Sequence, residues 1–220
     1  MDNRILALWS TPRSASAVFE SMMRRHGDFR CVSQPFALPY YRGADRRTTR
    51  FDQNAQDMSI TYASTWADLK REHRKGRVFT IDHPNHIMHM ADDAFLNQFQ
   101  HTFLIHHPAQ ALPAMYHHWS TFTADECSYV AMRQLFDSVT EQHGAAPIVV
   151  DVDDLNADPY RASEAYCKGA DIAFLPEALE ASEGPPVDPV ELPDIADVPF
   201  LSEMYKRCMP HYEAMAEHRI

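Results

Sequence analysis

The chain has 220 residues, which is enough for one α/β domain with a full hydrophobic core and too few for two. Its formal net charge of −11 argues against non-specific binding to nucleic acid or to an anionic membrane, because both need an excess of Lys and Arg. The four cysteines lie far apart without a C-x-x-C spacing, which favours free thiols in a reducing cytoplasm over a zinc knuckle or a redox pair. The first apolar run is too short for a signal sequence or a membrane span, so we expect a cytoplasmic protein.

Four short apolar runs predict buried β-strands. They are continuously apolar and rich in β-branched or aromatic residues, as are strands of a parallel sheet that is covered on both faces. In chain order they are Ile5–Trp9, Val78–Asp82, Thr102–His106 and Ile148–Val152. Helical patterns lie between and after them, at about Ser14–His26, Ser59–Arg74, Asp125–His143 and Pro199–His218. This alternation predicts a three-layer, doubly wound α/β fold with a sheet of about four to five parallel strands.

Two segments interrupt this alternation. Ser33–Gln56 contains prolines, paired tyrosines and four arginines, and we predict a long irregular excursion, which in compact domains often forms a lid or a binding loop. A solvated, partly disordered turn is the alternative. Glu183–Pro199 is rich in proline and acid and predicts an extended tether. We therefore expect a domain at residues 1–180, followed by a tether and a C-terminal helix at residues 181–220.

The segment Ile5–Phe19 has the layout of an anion-binding cradle. Its predicted strand leads into a proline-containing turn with Thr11, Arg13, Ser14 and Ser16, and a helix begins directly afterwards. The unpaired N–H groups of a helix N-terminus, together with hydroxyls and a guanidinium, are groups that coordinate a phosphate. The alternative is an ordinary helix N-cap, which Ser14 would supply equally well.

The chain contains 13 histidines, several of them in the loops after the second and third predicted strands. Their spacing does not match H-E-x-x-H or another specific zinc pattern, so we predict no metal site. His83 and His86 are candidate general bases, because the unperturbed pKa of an imidazole lies near the working pH. The alternative is a pair of solvated loop histidines.

The strand, the T-P-R-S-x-S turn and the following helix resemble the 5′-phosphosulfate loop of the sulfotransferase family. The donor of that family is 3′-phosphoadenosine 5′-phosphosulfate (PAPS), and its product is adenosine 3′,5′-bisphosphate (PAP). The resemblance implies that the 5′ side of the donor contacts Thr11, Arg13, Ser14, Ala15 and Ser16. It also implies the family's fold, which is similar to that of P-loop nucleotide hydrolases.

A second segment, Thr102–Trp119, resembles the family signature in which an arginine and a serine hold the 3′-phosphate of the donor. His106 stands in the place of the arginine, and Ala114 stands in the place of the serine. A neutral imidazole has one donor instead of the five of a guanidinium, and alanine has none. We therefore expect the 3′-phosphate to be poorly held and the binding of PAPS or PAP to be weakened.

A third segment, Val78–Met90, resembles the strand and turn that carry a lysine and a histidine in many sulfotransferases. In the family the lysine neutralises the transferring group and the histidine is the base on the acceptor hydroxyl. Here Ile81 stands in the place of the lysine, and the resemblance implies that His83 or His86 is the base.

The resemblance extends over roughly residues 4–179. V-S-Q-P-F resembles a run common in short bacterial sulfotransferases, with Gln34 in the place of an acid. Val149–Leu179 matches the C-terminal pattern of the family, in which Asp158 has the structural role of a helix N-cap. After Leu179 the match ends, and the glycine- and tryptophan-containing loop that usually closes over the donor is absent from the sequence.

The resemblance and these departures lead to alternative functions. The departures favour the first, in which the chain is a non-catalytic or supporting subunit that pairs with a sulfotransferase-like paralogue, or with itself. Such degenerate members occur in bacterial natural-product pathways in which sulfation of a hydroxyl creates a leaving group for ring closure, as in the aziridine of azinomycin. In the second, the chain is an active PAPS-dependent enzyme with an atypical 3′-phosphate site, acting on a small-molecule or carrier-bound substrate. A third, weaker alternative is a binding protein for another phosphorylated ligand.

Overall fold

One sheet of five parallel strands lies at the centre of the fold. The computed structural model describes residues 4–14, 16–51, 56–180 and 191–220. The strands are β1 Ile5–Ser10, β2 Arg30–Ser33, β3 Val78–Asp82, β4 Phe99–Ile105 and β5 Ile148–Asp151. They pair in the order β2-β3-β1-β4-β5, so that β1 is the central strand.

Helices connect the strands and cover both faces of the sheet. Those described are α1 Ala17–His26, α2 Ala37–Arg42, α3 Tyr62–His73, α4 Asp93–Leu96, α5 Pro108–His118, α6 Tyr129–His143, α7 Val152–Ala157, α8 Pro159–Gly169, α9 Glu177–Glu180 and α10 Pro199–Ala216. Two short 3₁₀ turns, Pro84–His86 and Met88–Met90, follow β3. Within the described ranges, no helix has both the length and the hydropathy that crossing a bilayer requires.

The central strand divides the core into two layers. Successive side chains of a strand point to opposite faces, so Ile5, Ala7 and Trp9 pack into one layer while Leu6 and Leu8 pack into the other. The first layer is completed by α3, α5, α6 and α10, and the second by α1, α7, α8 and α9. Burial on both faces explains why β1 is continuously apolar. The prediction of a three-layer α/β fold with four to five parallel strands is confirmed.

The structure corrects several predicted elements. Strand β2 was not predicted, because it is a short edge strand whose residues are only partly buried. Ser33–Gln56 was predicted to be irregular, and this is wrong for its first part, which contains α2. Residues 52–55 of the segment lie outside the described part of the chain. Strand β4 begins at Phe99 rather than at Thr102, and Val152 begins α7 rather than ending a strand. The predicted N-cap at Asp158 is confirmed, because its side chain accepts a hydrogen bond from the backbone N–H of Arg161.

The C-terminal helix α10 packs against α5 and α6. Tyr212 donates a hydrogen bond to Oδ2 of the buried Asp151 at 2.6 Å, and the backbone N–H of Ile220 donates to the carbonyl oxygen of Val149 at 3.1 Å. These two bonds join the end of the chain to the β5 side of the sheet. Residues 181–190 of the predicted tether lie outside the described residues, and the domain boundary at residue 180 stays a prediction.

The side chain of His101, in β4, is buried in the core beside Trp9 of β1. Trp9 Nε1 donates to His101 Nδ1 at 2.8 Å, and His101 Nε2 lies 3.0 Å from the carbonyl oxygen of Leu96. These contacts place the ring proton on Nε2 and leave the imidazole neutral. Burial lowers the pKa of His101 to about 4.

This histidine predicts a loss of stability in mild acid. Because its pKa is lower in the folded than in the unfolded chain, the stability it contributes is complete above about pH 6.5 and is lost as the pH falls towards about 4. Between about pH 8 and pH 5 that loss amounts to roughly 2 kcal/mol. In urea unfolding, the free energy of unfolding of His101→Gln should fall by about 2 kcal/mol less than that of the wild type between these two pH values. The exposed His117→Gln should match the wild type, and equal losses in His101→Gln and the wild type would contradict the assignment.

Candidate active site

A cavity of about 790 Å³ lies at the carboxyl ends of the central strands. Strand β1 leads to α1 in one helical layer, whereas β3 and β4 lead to elements of the other layer, which leaves a crevice beside β1. The cavity wall is formed by the β1–α1 turn, the turn after β3, α2 and the end of α5. Ligand sites of open α/β sheets lie in this position.

The β1–α1 turn contributes the predicted cradle. Arg13, Ser14 and Ser16 line the cavity, whereas Thr11 is buried and does not line it, and Ala15 lies outside the described residues. Arg13 has a positive φ of 64°, a conformation that non-glycine residues rarely adopt outside functional turns. Its side chain is exposed.

The alternative role of Ser14 as a helix N-cap is wrong. Helix α1 begins at Ala17, and its N-cap is Ser16, whose side chain makes no capping hydrogen bond. Ser14 is 1% exposed, and its Oγ has no hydrogen-bond partner among the described residues. A buried hydroxyl without a partner is unfavourable by about 1–3 kcal/mol, so a hydroxyl left in this state at a cavity wall indicates a ligand that completes it.

Asp82, the last residue of β3, holds the turn that follows it. Its buried carboxylate accepts hydrogen bonds from the backbone N–H groups of Phe36 and His83, both at 2.8 Å, and from His86 Nδ1 at 2.6 Å. His86 therefore carries its proton on Nδ1 and has its lone pair on Nε2. His86 is 1% exposed and lines the cavity, and Nε2 has no partner among the described residues. The alternative of a solvated loop histidine is wrong for His86.

His83 lines the same cavity but is held differently. Its Nδ1 lies 2.7 Å from the carbonyl oxygen of Ser10, and its Nε2 lies 3.4 Å from Nε2 of Gln34. Burial and the neighbouring His86 lower the pKa of His83 to about 4. A histidine with this pKa is neutral at pH 7 and is a weak base. Of the two predicted bases, the geometry therefore favours His86.

His106, in contrast, is turned away from the cavity. Its Nδ1 lies 3.0 Å from the carbonyl oxygen of Arg13, and its Nε2 lies 3.1 Å from Oε1 of Gln110. The amide of Gln110 in turn donates to Asp153 Oδ1 at 3.0 Å. Both ring nitrogens are thus engaged within the protein. Ala114 does line the cavity, but its methyl group offers no hydrogen-bond donor.

An aromatic wall that was not predicted also lines the cavity. It contains Tyr41 and Trp119, whose rings pack edge to face with centroids 5.9 Å apart. The guanidinium of Arg50 lies 4.9 Å from the centre of the Trp119 ring and pairs with Glu126. The paired tyrosines and the arginines of the segment 33–56 were the only signal of this wall, and they indicated a binding loop without identifying its partners.

Asp82 was also missed from the sequence. The available signal was a D-x-x-x-H spacing at the end of an apolar strand, which is too common to indicate a pair on its own. Across residues 4–14, 16–51, 56–180 and 191–220, no group of three or more His, Cys, Asp or Glu side chains is arranged to hold a metal ion.

Several sulfotransferase structures share this fold. The sulfotransferase from Alicyclobacillus acidocaldarius is 12% identical with a TM-score of 0.60, covering 99% of this chain and 97% of that chain. Mouse sulfotransferase SULT7A1 complexed with PAP is 12% identical with a TM-score of 0.52, covering 81% and 62% respectively. The sulfotransferase domain from the Synechococcus PCC 7002 olefin synthase is 13% identical with a TM-score of 0.50, covering 97% and 94%.

At such low identity these likenesses show the fold alone. No curated protein matches the sequence significantly. A family model described as a sulfotransferase domain, however, matches residues 3–191, which is most of the chain. A match over so much of the chain shows that it belongs to the sulfotransferase family.

Proposed function

We propose that this chain is an active sulfotransferase that transfers a sulfuryl group from PAPS to a hydroxyl, with His86 as the general base and an atypical 3′-phosphate site. The observation that carries this proposal is the buried Asp82–His86 pair. Nε2 of His86 has no hydrogen-bond partner among the described residues, and His86 shares a cavity with Arg13 and Ser14. Maintaining a buried, unpaired ring nitrogen is unfavourable unless a ligand uses it.

The cradle fits one anionic end of the donor. Arg13 and Ser14 supply a guanidinium and an unpartnered hydroxyl at the cavity, and Ser16 lies at the N-terminus of α1. The 3′ end fits poorly, since Ala114 has no donor and His106 is engaged by Arg13 and Gln110. When bound, PAPS supplies an activated sulfuryl group.

The residues around His86 have separate tasks in the proposed reaction. Nε2 of His86 accepts the proton of the acceptor hydroxyl, which makes its oxygen a better nucleophile. Asp82 keeps the proton of the free ring on Nδ1 and stabilises the imidazolium that forms. Arg13 and Ser14, which line the same cavity, stabilise negative charge on the donor. Tyr41, whose ring centre lies 5.5 Å from that of His86, limits access of water to the base.

The proposal is tested with His86→Asn, whose amide can still donate to Asp82. We measure release of PAP from PAPS with a set of phenols and primary alcohols as acceptors. Loss of a general base should lower kcat by about 10²–10⁴-fold and leave the dissociation constant for PAP within about threefold of the wild type. The exposed His117→Asn is the matched control and should retain full turnover. Wild-type turnover in His86→Asn would exclude His86 as the base.

A supporting, non-catalytic subunit is the second candidate, and the internal engagement of His106 together with Ala114 favours it. In that case the chain alone gives no turnover with any acceptor, and activity appears on co-expression with a longer sulfotransferase-like paralogue that co-elutes with it. The partner proposed is such a paralogue in a heterodimer, or a second copy of this chain. The product would be a sulfate ester that acts as a leaving group in a bacterial biosynthetic pathway, of the type that closes the azinomycin aziridine.

A cytoplasmic location is also a proposal, supported by four cysteines that form no disulfide.

A further inference from the structure

The cavity has few positively charged side chains, although the donor of the family carries several negative charges. Among the described residues that line it, Arg13 is the one with a permanent positive charge. Burial lowers the pKa of His83 to about 4, so His83 adds no charge at neutral pH. Arg50 is not among the residues that line the cavity, and its guanidinium lies over the Trp119 ring and is bound to Glu126 and to the carbonyl oxygen of Thr121.

The part of the wall around Ala114 is also unsuited to a second anion, whereas His118, four residues further along α5, lines the cavity with an imidazole. Ala114 lines the cavity there without a polar side-chain atom. Both ring nitrogens of His106 are engaged within the protein, Nδ1 by the carbonyl oxygen of Arg13 and Nε2 by Oε1 of Gln110, so neither nitrogen is available to a ligand. Gln110 is bound to the carboxylate of Asp153, which adds negative charge behind this wall. A phosphate held here would lose water without gaining charge-assisted hydrogen bonds, which is strongly unfavourable.

We infer that the cavity recognises a single anionic group, held at the β1–α1 turn by Arg13 and Ser14, and has no binding site for a 3′-phosphate. The ligands that fit are nucleoside 5′-phosphates, 5′-phosphosulfates and other sulfate or phosphate monoesters. The role of such a ligand as sulfuryl donor rests on the proposed function, whereas its binding does not. Under that function, adenosine 5′-phosphosulfate serves as a donor as well as PAPS does.

Calorimetric titration of the full chain with three nucleotides at one salt concentration tests this inference. Adenosine 5′-phosphate and adenosine 3′,5′-bisphosphate should bind with dissociation constants within about threefold of each other, because the 3′-phosphate gains no partner. Adenosine 3′-phosphate should bind at least about tenfold more weakly than adenosine 5′-phosphate. The inference is overturned if the bisphosphate binds about tenfold more tightly than the 5′-phosphate, or if the 5′-phosphate does not bind.

Two variants show where the anion sits. Arg13→Ala should weaken the 5′-phosphate and the bisphosphate by the same factor, at least about tenfold, and unchanged affinities would place the anion elsewhere. Ala114→Arg adds a cation to the cavity wall. It should tighten the bisphosphate by at least about tenfold relative to the 5′-phosphate, and an equal gain for both ligands contradicts the assignment. Melting curves of both variants confirm folding before titration.

The outcomes separate this inference from the proposed function. Equal binding of the two nucleotides with no turnover on any acceptor retains the single-anion site and rejects catalysis. Turnover that depends on His86, combined with a strong preference for the bisphosphate, retains catalysis and rejects the single-anion site.

Discussion

Asp82→Asn is expected to lower the free energy of unfolding by roughly 3–5 kcal/mol and to lower kcat by about 10⁴-fold. The carboxylate of Asp82 is fully buried and accepts three hydrogen bonds, from two backbone N–H groups and from His86 Nδ1. An asparagine side chain has one acceptor oxygen and an NH₂ group, so at least one buried donor would face another donor. Hydrogen bonds to a charged acceptor contribute about 1.5–3 kcal/mol each, which accounts for the size of the loss.

The loss of activity has a separate cause. In Asp82→Asn the amide oxygen or the NH₂ group can face His86, and the NH₂ group would move the ring proton from Nδ1 to Nε2. A base that already carries its proton on Nε2 cannot accept another proton there from the acceptor. The folded variant is therefore itself less active, and its activity falls by more than the loss of folded protein explains.

The measurement combines urea unfolding at about pH 7.5 with turnover of the folded fraction. The control is Asp137→Asn, because the side chain of Asp137 is 53% exposed and pairs with Arg133 on the same helix. That change should alter stability by less than about 0.5 kcal/mol and leave turnover intact. An Asp82→Asn variant with wild-type stability would show that the three hydrogen bonds contribute little.

Arg50→Ala is expected to lower the free energy of unfolding by roughly 3–5 kcal/mol at about pH 8. The side chain of Glu126 is 1% exposed and that of Arg50 is 13% exposed, and they form a paired contact that joins the segment after α2 to the segment before α6. Removing the guanidinium leaves a buried carboxylate with only the hydrogen bonds from Thr123. Arg50→Ala combined with Glu126→Gln should regain at least about 1.5 kcal/mol over Arg50→Ala, because no unpaired charge then remains.

The effect of Arg50→Ala should grow with pH. In the wild type, burial raises the pKa of Glu126, but hydrogen bonds from Arg50 and Thr123 outweigh burial and hold it below the usual value of 4.5. The pair thus contributes stability above that value, and the contribution is lost as the pH falls through the lowered pKa. Without Arg50, burial dominates and the pKa of Glu126 lies above its usual value, so the folded variant binds a proton that the unfolded chain releases.

Unfolding at about pH 5 and pH 8 tests this sign directly. The stability difference between the wild type and Arg50→Ala should be larger at pH 8 than at pH 5. A difference that is equal at both pH values would mean that Glu126 is hydrated in the variant. Arg50 also lies over Trp119, so the variant should weaken the binding of acceptors that contact the aromatic wall.

The parts of the site that could be predicted are those whose chemistry is local in the sequence. The β1–α1 turn was recognisable because Arg13, Ser14 and Ser16 follow an apolar strand directly. Strand β2 and helix α2 were not recognisable, because they lack such a local signal. Strand β2 is partly exposed at the sheet edge and has no continuous apolar run, and Pro39 within α2 indicates a helix break by propensity alone.

The sequence alone determined the class of fold, the succession of its main strands along the chain, the turn that carries the proposed anion-binding residues, and the absence of an arginine and a serine at positions 106 and 114. These features depend on side-chain type and short-range spacing. It did not determine which of two histidines, three residues apart, is suited to act as the base. The tertiary structure distinguishes the two through hydrogen-bond partners far away in the chain, because Ser10 holds His83 while the Asp82 carboxylate that holds His86 is itself fixed by Phe36. Protonation and basicity depend on burial and on such partners, which are properties of the packed fold.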